Sequence, residues 1–113
     1  MNDKKTAIIT GASRGIGRAT AVELARAGYF VIINFKTNET AAQETLNMVK
    51  SEGGDGTIIP FDVADSEQTG NAVKAITEQY KNIQVLINNA GITADGLFCY
   101  LAKRNGAVSS TPA

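Results

Sequence analysis

Thr10-Gly11-Ala12-Ser13-Arg14-Gly15-Ile16-Gly17 follows the short apolar run Thr6 to Thr10 and leads into a helix-forming segment, Arg18 to Ala27. The order is strand, glycine turn, helix. Glycines spaced Gly-x-x-x-Gly-x-Gly let the backbone turn tightly, approach a pyrophosphate without side-chain interference, and pack the helix close to its strand. Phosphate charge placed there meets the free N–H groups and the positive end of the helix dipole. The alternative is a purely structural connector, because glycine fingerprints also occur without a ligand. A P-loop is disfavoured: Gly17 is followed by Arg18 and Ala19, not by the Lys-Ser/Thr pair that such a loop requires.

Beyond the first helix, Gly28 supplies a stop and Phe30 to Phe35 is an apolar run with little alternation, the pattern of a parallel strand covered on both faces. Glu39 to Glu52 carries Ala42, Leu46 and Val49 as a helical stripe ended by Gly53-Gly54. Thr57 to Val63 reads as a third strand whose Pro60 suggests the sheet edge. Ser66 is a plausible N-cap for a helix burying Ala72, Val73, Ile76 and Tyr80, and Gln84 to Asn89 reads as a fourth strand. The expected fold is therefore α/β: a Rossmann-like, doubly wound parallel sheet of pattern βαβαβαβ and strand order 3-2-1-4. Such a sheet binds its ligand beyond the carboxyl ends of its strands, where the glycine turn, Asp62-Val63 and Asn88 to Gly91 all fall.

At 113 residues and 43% apolar content, the chain suits one small domain and is short for a complete α/β enzyme. Its 11 basic and 11 acidic residues cancel without forming blocks, so no nucleic-acid or membrane footprint appears. The lone Cys99 rules out an internal disulfide framework, and without histidine the usual zinc spacings are absent. With no secretory h-region and no run approaching a membrane span, a reduced cytoplasmic setting is expected.

Thr10 to Gly17, Asp62-Val63 and Asn88-Asn89-Ala90-Gly91, in that order and spacing, resemble the amino-terminal half of the short-chain dehydrogenase/reductase family. The continuation Ile92 to Phe98 resembles the bacterial 3-oxoacyl-acyl-carrier-protein reductases and the related acetoacetyl-CoA reductases. The resemblance covers Lys5 to about Phe98. It implies that Gly11, Ala12, Ser13, Arg14, Gly15, Ile16 and Gly17 wrap the pyrophosphate. It further implies that Asp62 bonds the adenine amino group beside Val63, and that Asn89, Ala90 and Gly91 line the nucleotide. It also implies hydride transfer from a nicotinamide cofactor to the β-carbonyl of a 3-oxoacyl thioester, in fatty acid biosynthesis, with an acyl-carrier protein or acyl-CoA as partner only in a full-length relative.

NAD binders place an acid at the end of the second strand to take the ribose 2′-hydroxyl. Phe35 stands at that place, followed by Lys36, and Arg14 lies in the glycine turn. Two cations favour a 2′-phosphate, so NADP(H) is the expected cofactor. The alternative treats Arg14 and Lys36 as ordinary solvated charges.

The reductases of this family use a serine and a Tyr-x-x-x-Lys pair. Tyr29, Tyr80 and Tyr100 are followed four positions later by Ile33, Gln84 and Arg104, and Ser109 and Ser110 lie in a segment without periodicity, so no catalytic residue is assigned. Residues 1–98 are expected to form a partial NADP-binding domain and 99–113 an aberrant, disordered tail that leaves the fourth strand's edge bare. Rebuilding codons one base out of phase lets Asn105-Gly106 encode tryptophan and Val108 to Ala113 encode Val, Ile, Asn, Thr and Ser, in the family's order. A one-base deletion in the coding DNA is the corresponding expectation. The family tetramer is not expected, and the chain alone is expected to be inactive. The alternative is a noncatalytic nucleotide-binding module or a nonfunctional frameshifted product.

Overall fold

A computed structural model describes residues 4–13, 15–88 and 109–112. The elements alternate along the chain: β1 (Thr6–Thr10), α1 (Gly15–Arg26), β2 (Phe30–Phe35), α2 (Glu39–Ser51), β3 (Asp55–Pro60), α3 (Ser66–Gln79), β4 (Ile83–Asn88) and β5 (Ser109–Pro112). The sheet is parallel, in the order β3-β2-β1-β4-β5. The order of its first four strands is the expected one, with β3 and its Pro60 at the outer edge, but β3 runs from Asp55 to Pro60 and not from Thr57 to Val63, because its pairing with β2 ends where Phe35 meets Pro60.

Alternate positions of the central strands feed two cores. Ala7, Ile9, Val31, Ile33 and Phe35 pack with Ala21, Val22 and Ala25 of α1 and Ala42, Leu46 and Val49 of α2. Ile8, Phe30, Ile32 and Leu86 pack with Val73 and Ile76 of α3 and with Tyr80. Helices therefore cover both faces, which is why β1 and β2 are buried at every position instead of alternating. Ile8, Ile9, Ile32 and Ile33 are all 0% exposed, and each contributes about 1.5–3 kcal/mol of burial. A register shift between Thr6 and Ala7 pairs Thr6 with Ile83 but Ala7 with Val85, which returns Ile83 to the α3 side beside Leu86.

Local chemistry sets the element ends. Gly28 closes α1 at φ 98° and Gly53 follows α2 at φ 84°, both in the region that disfavours a Cβ. The α3 cap is Asp65, not Ser66: its carboxylate accepts from the Glu67 and Gln68 amides, which a hydroxyl one residue later does not reach. Burial, then the charge of Asp55, raises the Tyr80 phenol above its usual pKa. Its ring stacks on Phe30 with centroids 5.1 Å apart.

One expectation needs correction. Residues 109–112, read as part of a patternless tail beyond a bare β4 edge, form β5, pairing Val85–Asn88 with Ser109–Pro112. Unpaired N–H and C=O groups on β4 offer a template that short polar sequence can satisfy, and Pro112 is tolerated because it closes an edge strand. Residues 99–108 lie outside the described residues.

Candidate functional site

The carboxyl ends of β1, β2 and β3 bring Gly11, Lys36 and Asp62 to one edge of the sheet. At the end of β1 the chain turns through Gly11 at φ 62° and enters α1 through Gly15 at φ 65°. Both lie in the left-handed region, where a Cβ costs conformational energy. The helix starts at Gly15, three residues before the expected Arg18, so Gly15, Ile16 and Gly17 themselves form its first turn. No acidic side chain lies in that turn. Its leading amides thus have no intrahelical carbonyl to donate to and no acidic side chain within their own turn, an arrangement suited to an anion.

Asn34, Thr45 and Arg18 hold this turn. From β2, the Asn34 side-chain oxygen accepts from the Gly11 amide at 3.2 Å, and the Asn34 carbonyl accepts from the Ala12 amide at 3.1 Å. From α2, the Thr45 hydroxyl donates to the Ala12 carbonyl at 2.9 Å. Arg18 reaches back from α1, donating to the Ser13 carbonyl at 2.7 Å, the Ala41 carbonyl at 3.0 Å and the Thr45 hydroxyl at 2.9 Å. Glu44 adds a carboxylate at 3.3 Å from Arg18. Arg18 is thus occupied in stapling the loop to α2.

At the end of β2, Phe35 is buried and Lys36 projects outward, its side chain 71% exposed. Lys36 Nζ lies 3.6 Å from Asp62 Oδ2. The other Asp62 oxygen accepts from the Ala64 amide at 3.0 Å, while the Asp62 amide donates to Gln68 Oε1 at 3.1 Å. Gln68 in turn donates to the α3 cap, Asp65, at 3.0 Å. Asp62 therefore stands on a framed turn, and Lys36 is the movable member of the pair, since an exposed ion pair of this kind contributes little to stability.

The sequence-predicted residues fall in three groups. Gly11, Ala12, Ser13, Gly15, Ile16 and Gly17 form the turn and the helix start, with Ala12 buried and Ile16 exposed. Lys36, Asp62 and the half-buried Val63 form the second wall, Val63 packing against the α3-side core. Arg14, Asn89, Ala90 and Gly91 lie outside the described residues. Tyr29 and Tyr80 sit at the opposite end of the sheet, where Lys5 covers the Tyr29 ring and Phe30, the first residue of β2, stacks on Tyr80. Among the described residues no His/Cys/Asp/Glu cluster suits a metal ion, and no helix is long and apolar enough to cross a membrane.

Sequence reasoning missed Asn34, Thr45, Arg18 and Gln68, the groups that hold the site in shape. The available signal was a polar residue inside an apolar pattern. Asn34 interrupts the run of β2, and Thr45 sits between Ala42 and Leu46 on the buried stripe of α2. Buried polar groups require partners, and here the partners belong to the turn.

Comparison with known proteins follows the same lines. A family model described as short chain dehydrogenase matches residues 5–107. A 3-oxoacyl-[acyl-carrier-protein] reductase of Staphylococcus aureus is 40% identical over 97 residues, covering 86% of this chain and 39% of that protein. An uncharacterized oxidoreductase of Escherichia coli is 43% identical over 86 residues, 76% of this chain and 35% of its own length. Among solved structures, a metagenomic short-chain oxidoreductase in complex with NADP superposes with a TM-score of 0.73 at 28% identity, covering 78% of this chain and 39% of that one. A promiscuous reductase that catalyses keto-reduction at C1 during lugdunomycin biosynthesis gives 0.70 at 36% identity, covering 79% and 39%. The chain therefore spans about two fifths of the length of these relatives.

Proposed function

The chain belongs to the short-chain dehydrogenase family, and from that premise we propose that it binds NADP(H) through the glycine turn, Lys36 and Asp62. The observation that carries this reading is the turn itself: left-handed Gly11 and Gly15 opening α1, whose first turn contains no acidic residue. The residues fit such a ligand. The helix start would take the pyrophosphate, Asp62 the adenine amino group, and Lys36 a 2′-phosphate, while Phe35 stands where a carboxylate would repel that phosphate. Arg14, Asn89, Ala90 and Gly91 complete the proposed set. The relative bound to NADP supports the choice of cofactor.

Titration with NADPH and NADH, followed by nucleotide fluorescence, tests the reading, with tighter NADPH binding expected. Lys36→Gln should weaken NADPH roughly tenfold by removing one charge-assisted phosphate contact, and leave NADH within about twofold. Equal affinity of the unaltered chain for both nucleotides would refute the 2′-phosphate assignment.

For the activity, we propose descent from an NADPH-dependent reductase of 3-oxoacyl thioesters, of the fatty acid biosynthetic kind. A reduced nicotinamide supplies hydride to the keto carbon in that chemistry. This sequence supplies the nucleotide-holding residues, and the serine and Tyr-x-x-x-Lys that would orient the carbonyl and deliver its proton have no counterpart in it. We therefore expect no oxidation of NADPH above background when the chain is mixed with acetoacetyl-CoA. Clear turnover by the pure chain would overturn that expectation, and binding without turnover favours a noncatalytic nucleotide-binding module.

A further inference from the structure

Asn34 is the polar interruption of β2, 3% exposed between Ile33 and Phe35. Both ends of its side chain are engaged. The oxygen accepts from the Gly11 amide at 3.2 Å. The nitrogen donates to the Phe61 carbonyl at 2.9 Å, with longer approaches to the Phe35 and Ile59 carbonyls at 3.4 and 3.5 Å. The main-chain carbonyl of the same residue holds the Ala12 amide. One residue of β2, which lies between β1 and β3, thus ties the first residues of the glycine turn to the residue immediately before Asp62. A buried amide is costly unless both its donor and its acceptor are satisfied, and here the two partners belong to opposite halves of the site.

We propose that Asn34 is a positioning residue that sets the spacing between the anion-binding turn and the Asp62–Lys36 wall, so that a dinucleotide spanning both meets a preformed frame. The proposal rests on the NADP(H) reading and deepens it. Its signature follows from geometry. A ligand that touches only one wall is indifferent to the spacing, whereas a ligand that touches both gains from the second contact only when the spacing is correct.

Asn34→Asp keeps the size and the acceptor for Gly11 but sets an oxygen against the Phe61 carbonyl, since a carboxylate has no proton to donate. NADPH affinity should fall roughly tenfold or more, as expected when a preorganised two-point site loses its register. Adenosine 2′-phosphate, which reaches only Asp62 and Lys36, should bind within about twofold of its affinity for the unaltered chain. Equal weakening of both ligands would indicate general loss of structure and overturn the proposal, as would no weakening of either. A measurement on the unaltered chain is independent of whether the variant folds. The Asn34 side-chain amide protons should exchange with solvent far more slowly than those of exposed Asn38 and Asn47, and should shift when NADPH is added. Exchange at the rate of Asn38 and Asn47, or no shift on saturation, would overturn the role. Failure of the unaltered chain to bind NADPH would instead overturn the cofactor reading itself and this role with it.

Discussion

Gly56→Ala should lower the melting temperature by on the order of 10 °C, corresponding to a loss of about 2–3 kcal/mol from overpacking. A Cβ at Gly56 would run into the Val31 carbonyl oxygen and come within 2.7 Å of Val31 Cγ2. Val31 cannot step aside, because β2 is paired on both edges: Val31 opposes Ala7 on one side and Gly56 on the other. Relief must come from β3, whose register carries on through the pairing of Phe35 with Pro60 and so delivers Asp62 beside Lys36. Gly70→Ala is the control, the same chemical change in the interior of α3, where an added Cβ meets nothing within 4 Å. Removing backbone freedom there should stabilise the chain by about 0.5–1 kcal/mol. Thermal melts of the two variants decide the matter, and a Gly56→Ala chain that melts with the unaltered protein would show that β3 packs more loosely against β2 than these contacts require.

How much of this was legible beforehand depended on whether a signal was local or long-range. Ile8-Ile9 and Val31-Ile32-Ile33 announce strands buried on both faces, and Gly28 and Gly53 announce helix ends, because hydrophobic runs and left-handed glycines act on their own neighbourhood. Boundaries decided by competition were harder to read. The start of α1 moved from Arg18 to Gly15, since glycines that make a turn can still take helical hydrogen bonds once the next turn propagates. Asp65 took the cap from Ser66 because its carboxylate reaches two amides at once. The strand at Ser109–Pro112 carries no hydrophobic pattern of its own. What recruits it is the open edge of β4, a partner distant in sequence.

The site divides in the same way. Gly11, Lys36 and Asp62 stand out because, in the proposed cofactor reading, their types and spacing bear directly on an anion and a base. Asn34 reaches Gly11 across 23 positions and Thr45 reaches Ala12 across 33, while Arg18 ties the turn to Ala41 of α2, 23 positions on, and a pattern of residue types does not display such pairings. The consequence is mechanical. Arg18, read alone, is one more cation near a phosphate loop, yet its guanidinium is committed to the Ser13 and Ala41 carbonyls and to Thr45. Of the described cations, Lys36 remains the one at this edge whose side chain is largely exposed and whose partner, at 3.6 Å, a phosphate can displace.

Gly15→Val should separate binding from folding more sharply than any other substitution in the turn. Among the described residues a Cβ at Gly15 meets nothing within 4 Å, so the branching carbon of a valine is placed without collision. The cost is conformational: at φ 65° a β-branched residue is strained by about 1–2 kcal/mol. The backbone can relieve that strain by rotating Gly15 out of the left-handed region, but doing so turns the leading amides of α1 away from the place a pyrophosphate would occupy. If it does not rotate, two methyl groups stand at the mouth of the helix start. Either response removes the close backbone approach that the glycine permits. NADPH affinity should therefore drop at least about 30-fold, equivalent to roughly 2 kcal/mol, with stability lowered by no more than the strain itself. Titration and thermal melting of the same sample measure both quantities. An affinity within threefold of the unaltered chain would mean that the ligand does not approach the turn at Gly15, and the pyrophosphate assignment would have to be abandoned even if the fold stood unchanged.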